Sequence, residues 1–324
     1  MKAVLCRQYG LPETLTVEQT DSPKAVTGKL VIQVKACGVN FPDTLMIQGK
    51  YQVKPPFPFS PGGEVAGIVK EVGECITHLK PGDRVFALTG FGGFAEETLA
   101  DGFKTFPLPA GMEYDTAASM MYTYGTSYHA LKDRADLQPG ETLLVLGAAG
   151  GVGLAAVELG RMMGANVIAA ASTDEKLALC RQVGAGDTIN YSREDLRERL
   201  RQITGGRGVD VVYDPVGGPL TEAALRSVSW QGRYLVVGFA AGQIPAIPLN
   251  LPLLKGCSVV GVFWGAFAEK QRQDNQDNVQ QLLAFYQQGR IKPHIQAQYP
   301  LDKAPQALRD MMNRQVLGKV VVIP

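Results

Sequence analysis

The stretch Thr142-Leu143-Leu144-Val145-Leu146-Gly147-Ala148-Ala149-Gly150-Gly151-Val152-Gly153-Leu154 decides the fold. Its first five residues have the length and apolar character of a buried strand. The glycines turn the chain, and a helical pattern follows through Gly164. Strand, glycine-rich turn and helix in this order are the context of a dinucleotide-binding fingerprint. Gly150 lets backbone N–H groups approach a pyrophosphate. Gly151 and Val152 open the helix, whose first N–H groups and partial positive charge favour an anion. Gly153 lets the helix pack closely on the strand. The match to G-x-G-x-x-G is imperfect, because Ala148 takes the place of the first glycine and Gly151 is extra.

The pattern continues on both sides. Residues 166–171 read as the next strand, and Thr173 caps a helix over 174–183 that stops at Gly184. Ser192 is expected to cap a helix over 193–203. A strand at 209–213, a helix at 220–230 and strands at 233–237 and 258–263 follow, then an amphipathic helix over 275–288. Upstream, Asp115 is expected to cap one helix over 117–131. Repeated β-α-β units imply a doubly wound parallel sheet. The N-terminal part differs. Short strands at 30–36, 65–72, 84–88 and 94–99 are separated by Pro61-Gly62-Gly63, Pro81-Gly82-Asp83 and Gly90-Phe91-Gly92-Gly93, a β-barrel-like pattern. The chain ends in a helix over 305–314 and a strand over 319–323, which returns to the first domain. The expected α/β architecture is therefore a β-barrel domain over 1–122, completed by 290–324, around a Rossmann domain over 123–289.

Composition agrees with two domains: the chain has 324 residues, against about 150 per domain. The 32 basic and 31 acidic residues leave a net charge of +1, which argues against nucleic-acid binding. No apolar run approaches the roughly 20 residues that span a bilayer, and the N-terminal apolar stretch is too short for a signal peptide. A cytoplasmic location is the expectation. The five cysteines, Cys6, Cys37, Cys75, Cys180 and Cys257, are widely spaced and read as free thiols.

The cofactor type is read at the end of the second strand, Ala169-Ala170-Ala171-Ser172-Thr173. An NAD-preferring site places an acid there. The small residues leave room for a 2′-phosphate, with which Lys176 can pair, so NADPH is favoured over NADH. Asp174 and Glu175 are read as first-turn helix acids; as ribose ligands they would favour NAD.

Five segments together carry a resemblance: Cys37-Gly38-Val39-Asn40-Phe41-Pro42-Asp43, Pro61-Gly62-Gly63-Glu64-Val65-Ala66-Gly67, residues 122–131 (YTYGTSYHAL), the fingerprint itself, and Gly208-Val209-Asp210-Val211-Val212-Tyr213-Asp214. In this order the chain resembles the zinc-independent NADPH:quinone oxidoreductase (zeta-crystallin-like) group of the medium-chain dehydrogenase/reductases over essentially its whole length. The resemblance implies a GroES-like catalytic domain, a Rossmann domain, a cleft at their junction and a homodimer paired through edge strands, here 258–263. Zinc-dependent relatives carry Cys where this chain has Asn40 and His where it has Gly63, so no metal is expected.

Without a metal, other groups must polarise the acceptor. Asn40 is a candidate to position nicotinamide or substrate, with Asp43 orienting its neighbours. The resemblance implies Tyr51 as a candidate proton donor, since the superfamily's enoyl-thioester reductases place such a tyrosine in the matching segment Gln48-Gly49-Lys50-Tyr51; a phenol keeps its proton at neutral pH. Thr126 matches a family residue near the nicotinamide. The resemblance points further to Tyr191 and Arg314 as adenosine-phosphate contacts, with Ser172 and Lys176. Gly238, Phe239, Phe263, Trp264 and Gly265 follow strand ends, which line the crevice of such sheets; they are expected either to contact nicotinamide or to pack the dimer edge. The expected activity is NADPH-dependent quinone reduction, by hydride or electron transfer and without zinc. Reduction of an activated C=C bond (an enoyl-thioester, 2-alkenal or enone) and a non-catalytic, crystallin-like NADPH-binding role are the alternatives.

Overall fold

The computed structural model describes residues 1–324. The chain forms two compact units, Met1–Tyr122 with Pro293–Pro324, and Thr123–Lys292. The first unit begins with β1 (Lys2–Leu5) and β2 (Thr16–Gln19), an antiparallel pair. Then come β3 (Lys29–Gly38), the short α1 (Phe41–Met46), β4 (Glu64–Val72), β5 (Arg84–Leu88), β6 (Glu97–Asp101), β7 (Thr105–Pro107) and α2 (Tyr114–Ala117).

The single helix predicted over 117–131 is broken. Glu113, not Asp115, occupies the N-cap of α2, and α2 ends at Ala117. Met121–Gly125 and His129–Arg134 form wider π-turns around α3 (Thr126–Tyr128). The cause lies partly in the first unit itself: the Glu64 carboxylate takes the N–H groups of Met121 (2.5 Å) and Tyr122 (3.1 Å), which a regular helix would spend on its own carbonyls.

The second unit alternates strand and helix: β8 (Thr142–Leu146), α4 (Gly151–Met162), β9 (Asn166–Ala171), α5 (Asp174–Val183), β10 (Asp187–Asn190), α6 (Leu196–Ile203), β11 (Val209–Asp214), α7 (Leu220–Arg226), β12 (Val228–Val236), α8 (Asn250–Lys255), β13 (Ser258–Gly261), α9 (Trp264–Lys270) and α10 (Arg272–Gln287). All strand pairs are parallel, in the order β10-β9-β8-β11-β12-β13. Counted from β8, that is the doubly wound order of dinucleotide-binding sheets. Leu144, Leu146, Ile168, Val212, Leu200 and Leu225 form its buried core.

Two boundaries differ from expectation. Asp195, not Ser192, caps α6 by accepting from Glu198 N (2.7 Å), because Asn190 accepts the N–H groups of Ser192, Arg193 and Glu194 in a preceding turn. The helix expected over 220–230 stops at Arg226, where the Ser227 hydroxyl bonds back to Ala223 O, and Trp230 belongs to β12. Thr173 caps α5 as predicted, accepting from Lys176 N, and Gly184 ends that helix at φ 122°.

The chain then returns to the first unit through β14 (Ile295–Pro300), α11 (Ala304–Met312) and β15 (Lys319–Ile323). The first unit's main sheet runs β14-β15-β3-β4-β5-β7, with β6 also on β3. Leu30, Ile32, Val65, Val85, Phe94, Val320 and Val322 fill its core. Because α11 ends at Met312, Arg314 lies beyond the helix, in a left-handed conformation at φ 58°.

The turn after β8 is built by three glycines. Gly147 takes φ 57°, which favours glycine. A Cβ on Gly153 would stand 2.4 Å from Gly147 O, whereas one on Gly150 would meet only that same oxygen, at 3.4 Å. Gly153→Ala should therefore cost about 1–3 kcal/mol through overpacking, and Gly150→Ala clearly less. Urea unfolding of both variants checks this; equal losses would contradict it.

Candidate active site

In the first unit the end of β3, the N-terminus of α1, the start of β4 and the start of β15 converge on a buried polar cluster. The Lys319 ammonium, 3% exposed, donates to Asn40 Oδ1 (2.6 Å), Val39 O (3.1 Å) and Glu64 Oε2 (3.2 Å). Asn40 Nδ2 donates to Glu64 Oε2 (3.1 Å) and Gly38 O (3.3 Å). Both amide hydrogens of Asn40 are thus spent inside the cluster, and the side chain is not a free N–H donor to nicotinamide or substrate. Gly38 is required for this approach: a Cβ there would lie 2.0 Å from Ala118 O and 2.9 Å from Glu64 Oε2.

Asp43 completes the cluster as an orienting group. Its carboxylate accepts from Asn40 N (2.8 Å) and Gly62 N (3.1 Å), tying the start of α1 to the loop before β4. Burial pushes its pKa up to about 7; the two backbone N–H bonds and Lys319 oppose this, and Glu64 adds to it. Tyr51 is half-buried against the core of this unit, and burial together with the Asp43 charge raises its phenol pKa. The phenol therefore keeps its proton well above neutrality.

Tyr122 is a group that sequence reasoning did not single out. Burial and the charges of Asp43, Tyr51, Glu64 and Cys37 raise its phenol pKa too, so it belongs to the same neighbourhood. Its hydroxyl would stand 2.7 Å from a Cβ on Gly63, leaving no room for a larger side chain there. Lys319 was read only as the start of a strand. The available signal was a lysine leading an otherwise apolar run, Val320-Val321-Val322-Ile323.

In the second unit the N-terminus of α4 forms a cradle. Gly150 is the N-cap and brings no side-chain cap. The first helical bond is Leu154 N to Gly150 O (2.8 Å), so the N–H groups of Gly151, Val152 and Gly153 have no carbonyl of α4 to pair with. This fits a pyrophosphate. The Ser127 hydroxyl of α3 bonds Val152 O (2.8 Å), fixing Thr126's element against the cradle.

At the tip of β9 Lys176 Nζ donates to Ser172 Oγ (3.3 Å), and Tyr191 N bonds Ala171 O (3.2 Å), which brings the three expected 2′-phosphate-side residues to one strand edge. Asp174 is held by Asn190 and Arg193, which lower its pKa. Arg314 belongs to the other unit.

Beyond β11, Asp214 accepts from Val216 N and Gly217 N (both 2.8 Å), Thr221 Oγ1 (3.3 Å) and the Tyr234 hydroxyl, while its backbone oxygen takes Val237 N and Gly238 N. It thereby fixes the strand end that carries Gly238 and Phe239. Phe263 and Gly265 are exposed, but Trp264 is buried on Gly125 with its indole N–H on Asn275 Oδ1 (3.2 Å), which makes it a packing residue.

The raised Asp43 pKa carries a stability consequence. The folded state holds a proton that the unfolded chain releases at about pH 4, so stability falls as pH rises from about 4 to about 7, by roughly 1.4 kcal/mol per unit of displacement. The unfolding free energy of the wild type relative to Asp43→Asn should therefore fall between pH 5 and pH 8. A flat difference would contradict the assignment.

Comparison with known proteins agrees with this layout. The alcohol dehydrogenase GroES-like domain family matches residues 26–110, and the zinc-binding dehydrogenase family matches residues 151–287. The chain is 41% identical to a quinone oxidoreductase-like protein 2 homolog of Nematostella vectensis, over 99% of this chain and 88% of that protein. It is 34% identical to the quinone oxidoreductase of Rattus norvegicus, over 100% of this chain and 98% of that one. The crystal structure of Escherichia coli quinone oxidoreductase complexed with NADPH superposes with a TM-score of 0.95 at 30% identity, covering 100% of both chains. The first unit is thus GroES-like and the second a Rossmann domain, and the chain belongs to the zinc-independent, quinone oxidoreductase-like group of the medium-chain dehydrogenase/reductases.

Proposed function

We propose that this protein binds NADPH and uses it to reduce quinones. The observation that carries the cofactor reading is the α4 cradle together with the Ser172–Lys176 contact at the tip of β9. When bound, NADPH would supply the acceptor with a hydride or with single electrons. Gly150, Gly151, Val152 and Gly153 would hold the pyrophosphate, Ser172, Lys176 and Tyr191 the adenosine-phosphate end, and the Gly238–Phe239 strand end the nicotinamide side. Thr126 would be a further cofactor-side contact.

On the acceptor side, Tyr51 presents a protonated phenol and Tyr122 a second one. Asn40 and Asp43 act by holding the polar cluster in shape. A phenol that keeps its proton can donate to a developing oxyanion. This also suits the second reading, reduction of an enone, in which Tyr51 would protonate the enolate.

One experiment separates these readings: NADPH consumption with ortho-quinones, para-quinones, 2-alkenals and crotonyl-CoA, with NADH in parallel. Turnover of quinones, with Tyr51→Phe reducing it only a few-fold, supports quinone reduction. Preference for alkenals or the thioester, with Tyr51→Phe costing about 10²-fold or more, moves the protein to the second reading. Lys176→Ala should weaken NADPH binding about tenfold, one charge-assisted contact, and NADH binding little. Equal effects would contradict the 2′-phosphate assignment.

We further propose a homodimer through β13. Its outer edge has no partner strand within the chain. Val259 is exposed on it, as are Phe263 just after it and Trp230, Leu249, Leu253 and Leu254. Exposed apolar edges of this kind are normally covered. Sedimentation should give a dimer, and Val259→Lys a monomer. A monomeric wild type would contradict the pairing.

A further inference from the structure

We propose that Lys319 is a positioning residue of the acceptor site: its buried ammonium fixes the orientation of the Asn40 amide and the Glu64 carboxylate, and through Asn40 the placement of Asp43. The inference rests on the reading of the first unit as the acceptor side of a reductase.

Lys319 leads a strand whose next four residues are Val, Val, Val and Ile, of which Val320 and Val322 belong to the core of this unit. Burying an ammonium is expensive, so an aliphatic residue would be the simpler choice at this position. Its three N–H groups meet three acceptors, Val39 O, Asn40 Oδ1 and Glu64 Oε2, at 3.1, 2.6 and 3.2 Å. These partners lie 280, 279 and 255 residues away in the chain, so the contact sets where the C-terminal strand stands relative to the N-terminal site.

The consequence for Asn40 is directional. With Oδ1 on a cation, Nδ2 faces Glu64 and Gly38 O; with the cation gone, Oδ1 loses its donor, and only the two longer contacts of Nδ2, at 3.1 and 3.3 Å, still hold the amide. Asn40 also gives its backbone N–H to Asp43, whose other oxygen holds Gly62 N beside Gly63. Lys319 thus governs a chain of contacts that reaches the surroundings of Tyr122 and Tyr51. The charged and titratable groups facing Asp43 are Glu64 from β4, Lys319 from β15, Cys37 from β3, and the Tyr51 and Tyr122 phenols. Lys319 lowers the Asp43 pKa, so its removal moves the Asp43 titration upward.

The test compares wild type, Lys319→Met and the double variant Glu64→Gln/Lys319→Met. The double variant removes both charges and keeps the site neutral should the single variant fail to fold. Three quantities are read: NADPH affinity without acceptor, kcat with 9,10-phenanthrenequinone, and the Asp43 titration midpoint, taken from the stability difference against Asp43→Asn in the same background. The expected result is kcat lower by about 10²-fold in the folded variants, a misplacement-sized effect, with NADPH affinity within about twofold. In Lys319→Met the Asp43 midpoint should rise by about one pH unit.

A folded variant with wild-type kcat and an unmoved midpoint would overturn the proposal. Parallel loss of kcat and NADPH affinity would also overturn it, as general damage. If wild type binds NADPH but oxidises it with no acceptor, the reductase reading fails. The midpoint shift in Lys319→Met then decides the Lys319 arrangement independently.

Discussion

A lysine ammonium and a glutamate carboxylate, both nearly sealed from water, stand 255 residues apart in the chain and 3.2 Å apart in space. The first unit depends on this pair. Breaking one partner of a buried pair typically costs about 3–5 kcal/mol, because the other charge is left uncompensated. The pair is balanced by further contacts. Glu64 also takes two backbone N–H groups from the segment after α2, and Lys319 also takes a backbone oxygen and an amide. One ion pair therefore joins the C-terminal strand, the N-terminal sheet and the broken helical segment, and it sets the orientation of Asn40 at their centre.

The second unit rests on a different constraint, closeness without side chains. Gly153 lets the first turn of α4 approach the carbonyl of Gly147 more closely than any Cβ allows, and Gly147 takes a backbone conformation that favours glycine. The result is a helix N-terminus whose donors face outward from a rigid, doubly wound sheet. Asp214 does related work at the neighbouring strand end, using its carboxylate to gather loop N–H groups and two hydroxyls. In each unit the functional groups stand on elements whose own geometry is settled by packing and hydrogen bonding.

What was legible in the sequence was local. The fingerprint, the Thr173 cap and the strand at Asn166–Ala171 follow from period, capping chemistry and turn residues within a dozen positions. What was not legible depends on partners distant in the chain. The regular helix expected over 117–131 gives way because Glu64 captures the N–H groups of Met121 and Tyr122. The contact of Asn40 with Lys319 is invisible locally, because its partner sits 279 residues later. Ser192 lost its cap role to a turn around Asn190 that competes for the same N–H groups. The polar character of each residue was visible, but the identity of its partner was not.

The proposed activity is reduction of an acceptor at the expense of bound NADPH. The most direct measurement is a single turnover: protein pre-loaded with NADPH is mixed rapidly with an ortho-quinone, and nicotinamide absorbance is followed. The account predicts loss of the reduced nicotinamide signal in a first-order step whose rate saturates with quinone. Tight NADPH binding with a signal that stays unchanged for quinones, alkenals and enoyl-thioesters alike would contradict it and leave a nucleotide-binding protein without reductase chemistry.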